Sequence, residues 1–206
     1  MCHFLPTIEI MKLALSLSAL VSVLPTILAA QAYIPYARYG GDPSTDRVIN
    51  AVDGRFYVGR QTTFIPPPWG LDNPETYNHT IITGPTGDNR WWMGVLQQGG
   101  QAIYLSYGMP EYAKASTNGT EGGIISANAD VFQFRTEDLG GGNVKLVNVE
   151  AKGEGSVAPT VDWSACQSGD DDYAVYSGGL LRCHAFEMVL KVTDAAAPQY
   201  YHYWDE

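Results

Sequence analysis

"DVFQFRTEDLGGGNVKLVNVE", Asp130 to Glu150, decides the class of fold. Apolar and polar residues alternate with period two on both sides of a run of three glycines, Gly140 to Gly142. Alternation of that kind puts one face of an extended chain in the core and the other in solvent, and consecutive glycines supply the backbone freedom of a tight turn. The stretch is a β-hairpin. A phosphate-binding glycine loop is excluded, because no helix pattern follows the glycines.

The same pattern recurs in both directions. "RFYVGRQ" (Arg55–Gln61) and "QAIYLSY" (Gln101–Tyr107) alternate in the same way, while "WWMGVL" and "FEMVLKV" are continuously apolar, as in strands buried on both faces. Turns are expected at Asp53-Gly54, Gly99-Gly100, Gly140-Gly141-Gly142 and Gly178-Gly179. Beyond the N-terminal region, Pro110–Ser116 is the one stretch that would tolerate a helix. With 22 glycines and 12 prolines, the chain reads as many short strands joined by tight turns. The expected fold is all-β: a single compact β-barrel or sandwich, with a trefoil-like barrel as the favoured form. Three loosely repeating stretches motivate that form: Trp91–Tyr107, Val131–Val149 and Tyr173–Val192.

From Met11, "MKLALSLSALVSVLPTILAAQAY" has a lysine, an apolar run and a small-residue exit, the parts of a secretory signal peptide. Cleavage is expected after Ala32 or after Ala30. The apolar run is short for a membrane span and is interrupted by Pro25. The expected organisation is a signal region over 1–32 and an extended arm over 33–50. The β-domain then covers 51–194 and a Tyr-rich tail 195–206.

Of three cysteines, Cys2 lies upstream of either cleavage position. Cys166 and Cys183 remain, and an even count in an oxidising pathway favours one disulfide. Two cysteines with His184 are too few ligands for a zinc site. Sequons at Asn78 and Asn118 mark expected glycans on exposed loops.

The net charge of −10 is carried by the chain beyond residue 32, because the first 32 residues contain one acid and one base. That balance excludes nucleic acid and anionic membrane surfaces as expected partners. There is no G-x-S-x-G elbow, and Ser164 and Ser168 have no recognisable base. His79, His184 and His202 lack paired metal-ligand spacing. The acidic run Asp170–Asp172 lacks the alternating spacing of a calcium loop and reads as a solvated hairpin tip. No catalytic, metal-binding or cofactor-binding residue is assigned, and no cofactor is expected.

Aromatic content is the remaining unusual feature, with 13 Tyr and 5 Trp. Trp91 and Trp163 are expected in the core. Trp69, Tyr77 and Trp204 are the candidate stacking platforms for sugar rings. The Pro-rich "FIPPPWGLDNPETYN" (Phe64–Asn78) is expected to be a connecting loop.

The segments "QAIYLSYGMPEYAKAS", "GGIISANADVFQFRTEDLGGGNVKLV" and "DWSACQSGDDDYAVYSGGLLRCHAFEMVLKV" resemble the fungal small secreted proteins related to the phialide cell-wall protein PhiA. In that family an aromatic precedes a Cys, then a tyrosine-bearing strand, then a second Cys and an apolar strand. Trp163, Cys166, Tyr173–Tyr176, Cys183 and Phe186–Val192 take those places. The resemblance spans Gln101 to Val192. It implies a small β-rich extracellular or wall-associated fungal protein without established catalytic residues. The leading expectation is therefore a secreted, non-enzymatic interaction protein whose partner is a cell-wall polysaccharide or an extracellular protein. A lectin-like carbohydrate-binding module is the alternative. An effector, inhibitor or hydrolase comes next, and a hydrolase would need paired carboxylates across a cleft.

Overall fold

The computed structural model describes residues 31–64, 79–86, 90–95, 101–113, 134–149, 160–161 and 163–195. Among these, thirteen antiparallel strands and one short 3-10 turn build a compact all-β domain. No helix among the described residues is long and apolar enough to cross a membrane.

The stretch 33–50, expected as an extended arm, instead forms structural strands. β1 (Ala32–Arg38) buries Tyr33, Pro35 and Ala37 on one face. It pairs along its whole length with β13 (His184–Thr193), from Ala32↔Thr193 to Arg38↔Glu187. On its other edge Ala32 and Tyr33 pair with β4 (Ile82–Thr83), and Tyr36 and Ala37 pair with β2 (Arg47–Val52). Pro35 falls in the gap between those two pairings, where a residue without an N–H interrupts no ladder on that edge. Tyrosine and proline at alternate positions hid a period-two pattern that is regular in the fold.

The chain folds as three units with the same pairing plan. The first contains β1, β2, β3 (Arg55–Val58) and β4. The second contains β5 (Trp91–Met93), β6 (Ala102–Ser106), β7 (Met109–Tyr112) and β8 (Phe134–Gly140). The third contains β9 (Asn143–Val149), β10 (Thr160–Val161), β11 (Trp163–Gln167), β12 (Tyr173–Ser177) and β13. In each unit the first strand pairs with the second, as β1–β2, β5–β6 and β9–β10. Each unit also contributes a hairpin: β2–β3, β6–β7 and β11–β12. The units join in a cycle through β4–β5, β8–β9 and β13–β1. The three hairpins meet, because β3 pairs with both β12 and β7, and Ser177 N–H donates to the Gly108 carbonyl at 2.6 Å. This connectivity is trefoil-like. The repeats are cut differently from the three stretches singled out in the sequence: Val131–Val149 straddles the second and third units, and none of the three falls in the first unit.

Local chemistry explains the turns. Asp53 and Gly54 (φ 47° and 85°) join β2 to β3, and Tyr107 and Gly108 (φ 51° and 79°) join β6 to β7. Two residues at positive φ make the hairpin turn whose twist matches the strands. The first of these turns is where the sequence places it. The second is hidden by a tyrosine, a residue that seldom adopts positive φ. Pro110, in the stretch that would tolerate a helix, lies in strand β7.

The three units converge on one apolar centre. Pro35, Phe56 and Ile82 from the first unit meet Ile103, Pro110 and Phe134 from the second. Leu146, Trp163 and Met188 of the third complete the lining of a void of about 20 Å³. Trp163 and Trp91 are buried, as expected. At the rim, Asp46 accepts from Arg38 at 2.8 Å and pairs with Lys191 at 2.8 Å, tying the turn after β1 to β13. The Arg38 hydrogen bond holds the Asp46 carboxyl below its ordinary range, against the opposing effect of burial.

Candidate functional site: a polar cleft beside the disulfide

Cys166 and Cys183 are joined by a disulfide, with Cα atoms 4.5 Å apart. The bond ties β11 to the turn that precedes β13. Between the two cysteines lie the β11–β12 loop and strand β12, and Cys166 sits one residue pair from the hairpin tip, so the bond braces the hairpin near that tip. Cys183 is followed directly by His184, and Cys166 pairs with Ala174, the neighbour of Tyr173. Both His184 and Tyr173 face a cleft of about 530 Å³.

The acidic run is part of the same wall. Asp170 to Asp172 lie at the tip of the β11–β12 hairpin, where Ser168 N–H donates to the Asp172 carbonyl at 2.9 Å. Asp171 lines the cleft. Asp172 turns to β3 and accepts from Arg60 Nε at 2.7 Å. That bond raises the Arg60 pKa, and the guanidinium also lies 4.2 Å from the centre of the Tyr57 ring. The tip can lie flat on the end of β3 because residue 59 is glycine. A Cβ there would sit 2.5 Å from the Asp171 carbonyl oxygen, and its φ is +101°. Among the described residues no group of three His, Cys, Asp or Glu could hold a metal.

The other wall comes from the first unit. Asn50 on β2 is fixed from both ends: its Nδ2 donates to the Arg60 carbonyl, and its Oδ1 accepts from the Thr62 hydroxyl at 2.9 Å. Arg47, at the start of β2, is exposed and, among the described residues, donates to the Asp46 carbonyl at 3.3 Å. Tyr39, just beyond β1, packs on Phe186 with ring centres 5.9 Å apart. Its backbone N–H and carbonyl are both bonded by the Thr45 hydroxyl at 2.9 Å. Burial raises the Tyr39 pKa, the Tyr173 phenol adds to that, and Arg47 acts against it. The hydroxyl therefore stays protonated and able to donate. Tyr173 meets His184 edge-on at 5.7 Å.

The cleft thus combines a hydrogen-bonded amide, two phenols, an imidazole, two guanidinium groups and one carboxylate. Its volume falls within the range of small-molecule sites, roughly 300–1,000 Å³. The arrangement suits a small polar ligand with several hydroxyl groups and an apolar ring face.

Of the residues singled out in the sequence, Cys166 and Cys183 sit beside the cleft. Trp69, Tyr77, Trp204, Asn78 and Asn118 lie outside the described residues. The third residue of the first sequon is described: Thr80 is fully buried, and its hydroxyl accepts the Ala51 N–H at 2.5 Å. Thr80 therefore has a structural task independent of any glycan on Asn78. Thr80→Val keeps the volume but leaves that buried N–H without its acceptor. A loss of about 1–3 kcal/mol is expected in urea unfolding, and an unchanged midpoint would refute this role.

Sequence reasoning missed Tyr39, Arg47, Asn50, Arg60 and Tyr173, and placed Asp171 only as a solvated tip. No local motif joins them. The one sequence signal was Gly59-Arg60 at the end of a strand pattern, a glycine where a close backbone approach is needed. No family model, no curated protein and no solved structure matches the chain.

Proposed function

We propose that this is a secreted, non-catalytic binding protein of the fungal wall or its surroundings, and that the cleft between β2, β3 and the Asp171 loop is its saccharide site. The observation that carries the reading is the composition of that cleft. The fixed amide of Asn50 and the side chains of Asp171 and His184 stand beside the rings of Tyr39 and Tyr173 in one open cavity. Saccharides are bound by that pairing of hydrogen bonds with aromatic faces.

Two further points support it. Asp171 is the single carboxylate among the described lining residues, whereas glycoside hydrolysis ordinarily uses a pair. The fold also agrees with removal of an N-terminal signal after Ala30. That position leaves β1 whole, while cleavage after Ala32 would remove its first residue, which pairs with both Thr83 and Thr193.

The test is retention of the secreted protein on insoluble chitin, β-glucan and whole fungal walls, together with a glycan array. Binding to at least one saccharide is expected, falling about tenfold in Asp171→Ala through loss of a charged acceptor. Asp171 is exposed, so that variant should keep its thermal midpoint. A flat response on every saccharide, or binding indifferent to Asp171→Ala, would refute the reading.

A further inference from the structure

The charge pattern around the cleft goes further than a general affinity for sugars. The first unit contains four arginines. Arg38, Arg55 and Arg60 each bond a carboxylate, those of Asp46, Glu111 and Asp172. Arg47 makes one hydrogen bond, to a backbone carbonyl, and has no carboxylate partner among the described residues. In a chain with 22 acidic and 12 basic residues, a guanidinium in a cleft without an acidic partner departs from the prevailing balance. The adjacent carboxylate, Asp46, is already occupied by Arg38 and Lys191.

The groups near Arg47 have matching chemistry. Arg47, Tyr39 and Tyr173 all line this cleft, so one guanidinium and two phenols open onto the same cavity. An arginine fork matches a carboxylate in geometry and charge, and phenol hydroxyls donate to the same acceptor. Asn50 and Asp171 supply the neutral hydrogen-bonding part, because Asn50 keeps a second amide hydrogen after bonding the Arg60 carbonyl.

We infer that the cleft recognises an acidic saccharide, a uronic acid residue whose carboxylate is held by Arg47 and the Tyr39 hydroxyl while its ring hydroxyls meet Asn50 and Asp171. This rests on the saccharide-binding reading above and specifies the class of sugar.

The experiment compares probes that differ only in oxidation state at C6: gluco-oligosaccharides with their glucuronate counterparts, and galacto-oligosaccharides with their galacturonate counterparts. Affinities are measured by calorimetry on the intact secreted protein. At least one uronate probe should bind about tenfold more tightly than its neutral partner, the scale of a charge-assisted pair. That preference should shrink as salt rises. Arg47→Gln should abolish the preference by bringing uronate affinity down to that of the neutral probe, with the thermal midpoint unchanged, since Arg47 is exposed. Neutral probes binding as well as the uronates would overturn the inference and leave saccharide binding standing. A preference that survives Arg47→Gln would overturn the role of Arg47. Absence of binding to every probe would overturn the inference together with the reading beneath it.

Discussion

Trp163→Ala should be the most destabilising single change in the domain, costing about 3–5 kcal/mol. Trp163 is 1% exposed and sits where the three units converge. Its ring stacks on Phe134 with centres 6.3 Å apart and planes 12° from parallel. Its indole N–H donates to the Leu146 carbonyl at 2.8 Å, joining β11 to β9. Truncation removes the largest side chain of that centre and leaves a cavity that strands fixed by their ladders cannot close. Because domains of this kind have about 5–15 kcal/mol in total, the alanine variant is expected to be secreted poorly. Trp163→Phe provides the second measurement. It keeps an aromatic ring against Phe134 and loses the hydrogen bond, for an expected cost of about 1–3 kcal/mol in urea unfolding. Two variants as stable as the parent would mean that the units do not meet at Trp163.

Replacing both cysteines by serine is expected to cost about 3 kcal/mol, from the chain entropy that a cross-link over 17 positions removes from the unfolded state. For a domain of this size the thermal midpoint should fall by about 6–12 °C, and reductant should bring the parent protein to the same value. A second effect separates this bond from a merely stabilising one. The disulfide holds His184 and the Asp171-bearing hairpin together, so saccharide binding should weaken even at temperatures where the variant remains folded. Titration of two free thiols in the native secreted protein would end this account, as would a midpoint that does not move on reduction.

The contrast between these two positions shows how unevenly the sequence reports on the fold. Trp163 reads as core because a tryptophan precedes a short apolar strand, and Cys166 and Cys183 read as a pair because two cysteines remain in an oxidising pathway. The Asp53-Gly54 turn is equally direct. β1 was obscured because its buried face, Tyr33, Pro35 and Ala37, contains no Val, Ile or Leu, and a proline is unusual in a strand bonded on both edges. The Tyr107-Gly108 turn was obscured because its first residue adopts a backbone conformation that tyrosine rarely takes.

By itself the sequence determined the local things: period-two strands, glycine turns, two buried tryptophans and the cysteine pairing. Each follows from the conformational preference or chemistry of neighbouring residues, or from a count. The tertiary structure decided where the repeats are cut, that β1 belongs between β13 and the β2–β4 edge, and that a cleft exists at all. Arg60 and Asp172 meet across 112 positions, and Arg47 and Asn50 of the first unit share a cavity with Tyr173 of the third. A period-two pattern states which face of a strand is buried and leaves the partner open, because any strand's backbone can complete any other's ladder. Partner choice is settled only when all the apolar faces must close around one centre, and the cleft is a consequence of that closure.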